Sequence, residues 1–506
     1  MDLRIFPHRT ASGAVRRGDG RAGVALAIML GAQLMIILDA TVVNIALPHI
    51  QSGLHFSATS LSWVLNAYTL TFGGLLLLGG RAGDILGRRR VFLAGIVIFT
   101  VASLAGGLAP SAGVLLAARV AQGVGGALAS PAVLALVVSG FPEGRERTRA
   151  LAIYAGVVTG GGSLGLVLGG VITQWLDWRW VLFINVPIGI AVVAATPLFV
   201  AETPRQPGRF DLAGAITSTA GVAALVYGFI RAASYGWGDR VGLAAFAAAA
   251  VLLAVFLRTE TRAPQPITPL RLFADASRSG SFAARLLLVG GMFGMFFFLT
   301  QFLQDVLGFS PLRAGLAFLP MTLLLFAVSR GVPRLMPVFG PWRLMIAGML
   351  PVVAGMALLS QVSPATSYWT GIFPPMVLLG AGMGVVFVPL TTASLAGVRP
   401  QDSGAASSMV NVMQQLGGSL GLAVLVAVFG TASRTALAHP VAGQSAAAFQ
   451  KHVLAHGMAA AFGLAAIFDV AALLIIAILL RGRPAGPALA PAEADELDLV
   501  PVPDIE

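Results

Sequence analysis

Apolar runs recur along the whole chain, each too long for an ordinary soluble core element. They occupy 23–46, 60–79, 89–108, 113–137, 148–172, 179–200, 210–231, 240–258, 280–303, 312–330, 341–361, 368–392, 404–430 and 457–480. A helix rises 1.5 Å per residue, so about 20 apolar residues cross the ~30 Å hydrocarbon core of a bilayer. The pattern predicts fourteen transmembrane helices joined by short loops. Gly and Pro interrupt the twelfth and thirteenth runs, which membrane helices tolerate when neighbouring groups satisfy the freed backbone. Composition then excludes a soluble protein. Only 10% of residues are charged and 57% are hydrophobic, where a soluble surface needs roughly a quarter charged. The first run is too long for a secretory leader and lacks a small-residue cleavage site, so it reads as the first span.

A formal net charge of +11 raises the possibility of nucleic-acid binding, but the placement of the basic residues answers it. On an alternating map with both termini cytoplasmic, one side holds Arg4, Arg9, Arg16, Arg17, Arg21, Arg81, Arg88, Arg89, Arg90, Arg145, Arg147, Arg149, Arg205 and Arg209. The same side continues with Arg258, Arg262, Arg271, Arg278, Arg330, Arg334, Arg343, Arg399, Arg481 and Arg483. The other side holds only Arg179, Arg231, Arg240, Arg313, Arg434 and Lys451. This is the positive-inside asymmetry of membrane topology, and a wrong span count scrambles it. Cysteine is absent, which excludes disulfides, thiolate nucleophiles and cysteine metal sites.

The chain echoes itself about half its length apart. Gly161-Gly162-Ser163-Leu164-Gly165-Leu166 recurs as Gly417-Gly418-Ser419-Leu420-Gly421-Leu422. Leu93-Ala94-Gly95 follows an arginine loop, as Ile346-Ala347-Gly348 does; Gly126 and Pro131 are matched by Gly384 and Pro389. An offset of eight spans preserves orientation, so two parallel six-helix repeats flank an inserted central pair, an arrangement that places a site between halves. The expected division is a cytoplasmic segment 1–22, a bundle 23–200, a central pair with linker 201–279, a bundle 280–480, and a tail 481–506 whose prolines and acidic run read as disordered.

Ionisable residues inside spans are costly and therefore point to function. Asp39 lies in the outer half of the first span and Arg119 at similar depth in the fourth. A carboxylate resists ionising in low dielectric, and a nearby guanidinium, which keeps its own charge, favours ionisation. An acid balanced between those effects can carry a proton, so proton coupling is the expected role of the two, with a structural carboxylate that satisfies another helix as the alternative for Asp39. Arg285 is expected to snorkel to the near surface. Asp469 either faces a cavity or pairs with a neighbour. The loop Gly80-Arg81-Ala82-Gly83-Asp84-Ile85-Leu86-Gly87-Arg88-Arg89-Arg90 combines turn glycines, an acid suited to the start of the third span, and arginine anchors. A conformational latch is expected there, with Gly80, Asp84, Gly87, Arg88 and Arg89 as its parts. Gly161, Gly165 and Gly169, with Gly170 beside them, form a smooth stripe for close packing or gating. Asn44, Asn66, Tyr68, Gln301, Asn411, Gln414 and Gln415 sit at cavity depth, either to meet substrate or to bond between helices. His452 and His456, four apart in an outer loop, have no matching carboxylate, and no metal site is expected.

These segments resemble the major facilitator superfamily, and more closely its fourteen-span drug:proton antiporter branch. The residues responsible are Leu38-Asp39-Ala40-Thr41-Val42-Val43-Asn44-Ile45-Ala46-Leu47-Pro48, the Gly80–Arg90 loop, Arg119-Val120-Ala121-Gln122-Gly123, the stretch Trp178–Gly189, and Gln304–Pro311. The resemblance implies alternating-access export of small amphipathic molecules, antibiotics among them, driven by protons that engage Asp39 and Arg119, with the Gly80–Arg90 loop gating the inward side. In one departure, Leu166 stands after Gly165 where the family's antiporter element usually has proline. The expected partners are the substrate, protons and the lipid bilayer, with no nucleic acid; the chain is expected to work as a monomer and to need no cofactor beyond the coupling proton. A single lysine, Lys451, against abundant arginine, alanine and glycine suggests a GC-rich bacterial genome, hence the bacterial cytoplasmic membrane. A proton-coupled importer on the same fold is the alternative, because fold does not fix direction. A membrane sensor or enzyme is the remote one, since the chain has no H-E-x-x-H, nucleophile elbow or phosphate loop.

Overall fold

Hydrocarbon offers a backbone no water to bond, so an apolar run that enters it closes its hydrogen bonds internally as a helix. All fourteen runs do so in the computed structural model, which describes residues 19–208, 210–263, 265–399, 402–439 and 445–481. The expected disordered tail and most of the N-terminal segment lie outside the described residues. The spans are α1 (Arg21–Leu54), α2 (Ser60–Leu86), α3 (Arg88–Gly107), α4 (Ala112–Gly140), α5 (Arg145–Trp175), α6 (Trp180–Phe199) and α7 (Leu212–Tyr235). They continue with α8 (Arg240–Glu260), α9 (Ala276–Val306), α10 (Pro311–Phe339), α11 (Pro341–Leu359), α12 (Tyr368–Leu395), α13 (Gly404–Ala438) and α14 (Ala446–Leu479). No strand occurs among the described residues.

Helix starts follow local chemistry. Asp211, Asp239, Asp275, Ser310 and Ser445 cap α7, α8, α9, α10 and α14, each accepting from the amide three residues on, which satisfies one of the orphan donors of a first turn. The Ser445 cap and the alanines after it start α14 well before residue 457, so Lys451, His452 and His456 stand on a helix and not in the expected outer loop.

The first six spans pack as one bundle and the last six as another. The sequence echoes mark matching helix contacts. Gly161 and Gly165 of α5 lie against Ile37 and Thr41 of α1; Gly417 and Gly421 of α13 lie against Leu286 and Gly290 of α9. Gly95 meets the α4 backbone and Gly348 the α12 backbone, while Gly126 abuts Phe72 of α2 and Gly384 abuts Leu325 of α10. Each match is offset by eight spans, as a parallel duplication requires. The inserted pair is asymmetric: α7 packs on α2 and α13 at the seam between bundles, whereas α8 packs mainly on α7.

The bundles meet at the end opposite the arginine-rich loops, and α2 also packs along α13, where Leu76 joins a cluster with Phe282, Met409, Val410 and Val412. Gln304 of α9 donates to Ile45 O of α1 at 2.9 Å, and Gln174 of α5 accepts from Leu312 N of α10 at 3.2 Å. Nearer mid-depth, Thr69 of α2 and Ser419 of α13 share a buried hydrogen bond of 2.6 Å.

On the arginine-rich face, the linker into α9 is tied to the start of α13 by Arg271, whose Nε and Nη2 donate to Asp402 at 3.0 and 2.5 Å. The hydrogen bonds from Arg271 hold the Asp402 carboxyl below its usual range. A carboxyl depressed on folding stabilises the fold above its unfolded pKa and loses that contribution as pH falls through its folded value. The protection of amides across 265–275, taken as the exchange rate relative to the unstructured rate at the same pH, is therefore expected to fall as pH drops below about 4, and Asp402→Asn to show the low protection at every pH. Protection in the parent chain that does not change with pH counts against the tie.

Candidate functional site

Among the buried charges, Asp39 and Arg119 meet. Arg119 Nη1 donates to Asp39 Oδ2 at 2.5 Å, with relative exposures of 0% and 1% for the two residues. Asp39 comes from mid-α1 and Arg119 from the second turn of α4. Three neutral side chains complete the cluster. Gln122, one turn along from Arg119, accepts from its Nη1 at 2.9 Å and donates through Nε2 to Asp39 Oδ1 at 2.9 Å and to Ser103 Oγ at 2.8 Å. Asn185 of α6 donates to Asp39 Oδ1 at 2.9 Å. Arg119 Nε donates to Val64 O of α2 at 3.0 Å, and the guanidinium lies 4.5 Å from the centroid of the Tyr68 ring.

The arrangement has a chemical consequence. Asp39 receives three donated hydrogen bonds, from Arg119, Gln122 and Asn185. An ionised carboxylate accepts on both oxygens, whereas a protonated one carries a donor hydrogen. Adding a proton to Asp39 thus cancels the charge that holds Arg119 and displaces at least one donor. The cluster ties α1, α2, α3, α4 and α6 together, so that change reaches five of the six helices of the first bundle.

The other intramembrane charges are arranged differently. Asp469 of α14 is 0% exposed and packs against Gly291 of α9, and neither carboxylate oxygen has a hydrogen-bond partner among the described residues. Arg285 of α9 does not snorkel. It is held inward by Thr391 of α12, whose Oγ1 accepts from Nη2 at 2.6 Å, with Phe387 of the same helix 5.8 Å away.

The Gly80–Arg90 loop forms its contacts with a partner that the sequence reading passed over. Gly87 adopts φ +104°, a left-handed region that favours glycine. Asp84 does not cap α3: it lies in the last turn of α2 and accepts from Arg88 Nε and Nη2 at 3.3 and 3.1 Å. Glu202 and Thr203, just after α6, take the capping role, accepting from Arg89 N at 3.0 Å and Arg88 N at 3.2 Å. Gln206 N donates to Asp84 O at 2.8 Å, and Arg81 donates to Gln265 of the α8–α9 linker at 2.6 Å.

The glycine stripe of α5 divides by contact. Gly161, Gly165 and Gly169 pack on α1 inside their own bundle, while Gly170 faces Pro311 and Leu312 of α10 across the seam. Of the polar residues at cavity depth, Asn411 is exposed and Asn44, Gln414 and Gln415 are half-buried. Tyr68 and Asn66 are sealed in; Tyr68 stacks on Phe72 and covers Arg119, and both amide atoms of Asn66 lack partners among the described residues. Gln301 is buried and donates to Phe297 O of its own helix at 3.0 Å. The imidazoles of His452 and His456 stack at 6.3 Å.

Comparison with known proteins bears on what this arrangement serves. The sequence profile of the Major Facilitator Superfamily matches residues 29–422. The chain is 42% identical to the puromycin resistance protein of Streptomyces alboniger, over 84% of each chain. It is 41% identical to the cephamycin export protein of Amycolatopsis lactamdurans, over 81% of this chain and 85% of that one. Identity to the tetracenomycin C resistance and export protein of Streptomyces glaucescens is 36%, over 79% and 74%. Among solved structures, a bacterial homologue of the human lysosomal transporter Spinster, inward-facing and occupied, superposes with a TM-score of 0.67 at 18% identity. That superposition covers 92% of this chain and 99% of the other, and it shows the shared fold.

Proposed function

The chain belongs to the major facilitator superfamily and is a transporter, not an enzyme, and on that premise we propose that it exports antibiotic-like amphipathic molecules in exchange for protons. The observation that carries the proton half is the sealed Asp39–Arg119 contact, with three donors on the carboxylate. The names of the relatives support the export half, since resistance and export recur among them.

In this reading the arginine-rich face is cytoplasmic, by the positive-inside rule, and the membrane is the bacterial cytoplasmic membrane. With the bundles in contact at the outer end, substrate enters from the cytoplasm or the inner leaflet. A proton arriving from outside neutralises Asp39, releases Arg119 and loosens the packing of α1 on α4 and α6. Outward opening delivers the cargo, and loss of the proton to the cytoplasm resets the pair. The proton is the only coupling ion in the scheme, no cofactor enters it, and one chain suffices. The driving force is adequate: a charge crossing 100 mV contributes about 2.3 kcal/mol before any pH gradient.

The test is efflux of rhodamine 123, a lipophilic cation, from energised cells that express the chain. Exchange of one proton for this monovalent cation moves no net charge, so the pH gradient alone drives it; at one pH unit accumulation is expected to fall by up to about 10-fold against an empty-vector control, and an uncoupler is expected to abolish the difference between the two. Uncoupler-insensitive efflux removes the proton from the scheme. Accumulation above the empty-vector level that the uncoupler abolishes makes the chain an importer.

A further inference from the structure

The second bundle contains a charge that the proton cycle does not use. Arg285 stands nine residues into α9, about 14 Å from the start of the helix, and is 3% exposed. Among the described residues no carboxylate lies within 4.0 Å of it, and Thr391 is its only hydrogen-bond partner; its buried Nε has none. A guanidinium keeps its proton even in hydrocarbon, and an ion taken out of water without a counter-charge is strongly disfavoured. Arg119 in the first bundle, by contrast, has a carboxylate, an amide oxygen and a backbone carbonyl.

The direction in which Arg285 looks follows from its helix face. Phe282, Arg285, Val289, Met292, Phe296 and Thr300 recur at intervals of three and four and share one stripe of α9. At one end of that stripe Phe282 clusters with Leu76 of α2. At the other, one turn past Thr300, Gln304 bonds to Ile45 O of α1. Both ends of the stripe therefore adjoin residues of the opposite bundle, and Arg285 lies between them on the same helix face. Met292 and Phe296 on the same stripe are half-buried, as are Phe387 and Thr391 beside the guanidinium.

We propose that Arg285, braced by Thr391 and Phe387, is the recognition site for an acidic group on the transported molecule, so that the cargo of this chain includes amphipathic organic acids. This rests on the export reading for the direction of transport, but not for binding. A carboxylate in the cavity forms parallel charge-assisted hydrogen bonds with the free edge of a guanidinium, while Phe387 offers an apolar surface to the rest of the molecule. The depth of Arg285 favours a molecule in the cavity over a lipid headgroup, which stays at the membrane surface.

The test uses two dyes that differ in one group: rhodamine 110, with a free carboxylate, and its methyl ester, rhodamine 123. Binding to the purified full chain is read by fluorescence polarisation in phosphatidylcholine nanodiscs. Arg285→Gln is expected to weaken rhodamine 110 by about 10- to 100-fold, the range for a lost charged hydrogen-bond pair, and to leave rhodamine 123 within about twofold. Arg285→Lys, which restores the charge without the fork, is expected to recover part of the loss. A parent chain that binds the ester alone, or neither dye, overturns the assignment. So does an Arg285→Gln variant that loses both dyes alike, which marks a structural arginine. Loss of acid binding only when phosphatidylglycerol is added assigns the site to headgroups and overturns it too. Efflux of rhodamine 123 is read separately: absent efflux with the acid discrimination intact sinks the export reading and leaves Arg285 in place.

Discussion

Asp39→Asn, produced at the parent level, sustains no uphill efflux. One proton per uncharged cargo at 100 mV is worth about 2.3 kcal/mol, which supports a concentration ratio of roughly 50; in the variant the ratio falls to about 1 and the uncoupler no longer matters. Asparagine has nearly the size of aspartate and can still accept from Gln122 or Asn185, so the change removes charge and titration more than shape. It also leaves Arg119 buried without a counter-charge, and breaking a buried pair from one side costs about 3–5 kcal/mol. Loss of efflux by the single variant therefore mixes coupling with instability. Combining Asp39→Asn with Arg119→Gln removes both charges and is expected to regain thermal stability without regaining uncoupler-sensitive efflux. If the double variant pumps like the parent chain, the pair is a structural tie and proton coupling lies elsewhere, with Asp469 the next residue to test.

The physics that made Asp39 and Arg119 conspicuous in the sequence explains which of their neighbours were not. A charge inside an apolar run is rare because hydrocarbon disfavours it, so its presence is informative from sequence alone. Gln122, Asn185 and Ser103 complete the same cluster, yet neutral polar residues are common enough in membrane helices to carry little signal. Gln122 and Asn185 stand within the motifs that carry the family resemblance, yet nothing in the sequence gives either a place in the cluster. The span count was legible because lipid leaves a long apolar run few alternatives to helix, and the echoes of glycine motifs anticipated equivalent helix contacts. Arg285 was misread because its distance from the helix start suits snorkelling, and only the tertiary fold places Thr391 and Phe387 to draw it inward. Glu202 was invisible for a similar reason: its partner loop lies more than a hundred residues earlier.

Side chains added at Gly170 and Gly315 open the outer end of the molecule. A Cβ at Gly315 of α10 would lie 2.5 Å from Leu166 O of α5, and one at Gly170 would lie 2.8 Å from Pro311 O and from Leu312 Cα. These neighbours are backbone, which cannot rotate away, so the two helices must separate. Overpacking of this kind costs roughly 1–3 kcal/mol per site, and only in the state where the outer ends touch. Carrying a two-state equilibrium from 1:99 to 99:1 takes about 5.5 kcal/mol. Gly315→Ala alone is thus expected to shift the population in part, and Gly170→Ala with Gly315→Ala to shift most of it. Because the chain has no cysteine, spin labels can be placed singly: Leu176→Cys with Trp369→Cys on the outer face, and Leu86→Cys with Val338→Cys on the arginine-rich face, all exposed in the native chain. The double variant should lengthen the outer distance and shorten the inner one. Gly169→Ala, which crowds Val42 within the first bundle, should lower stability and leave both distances unchanged. Unaltered distances in the double variant would reduce the seam glycines to passive packing; lengthening in both sets of variants would mean the bundles do not move as units.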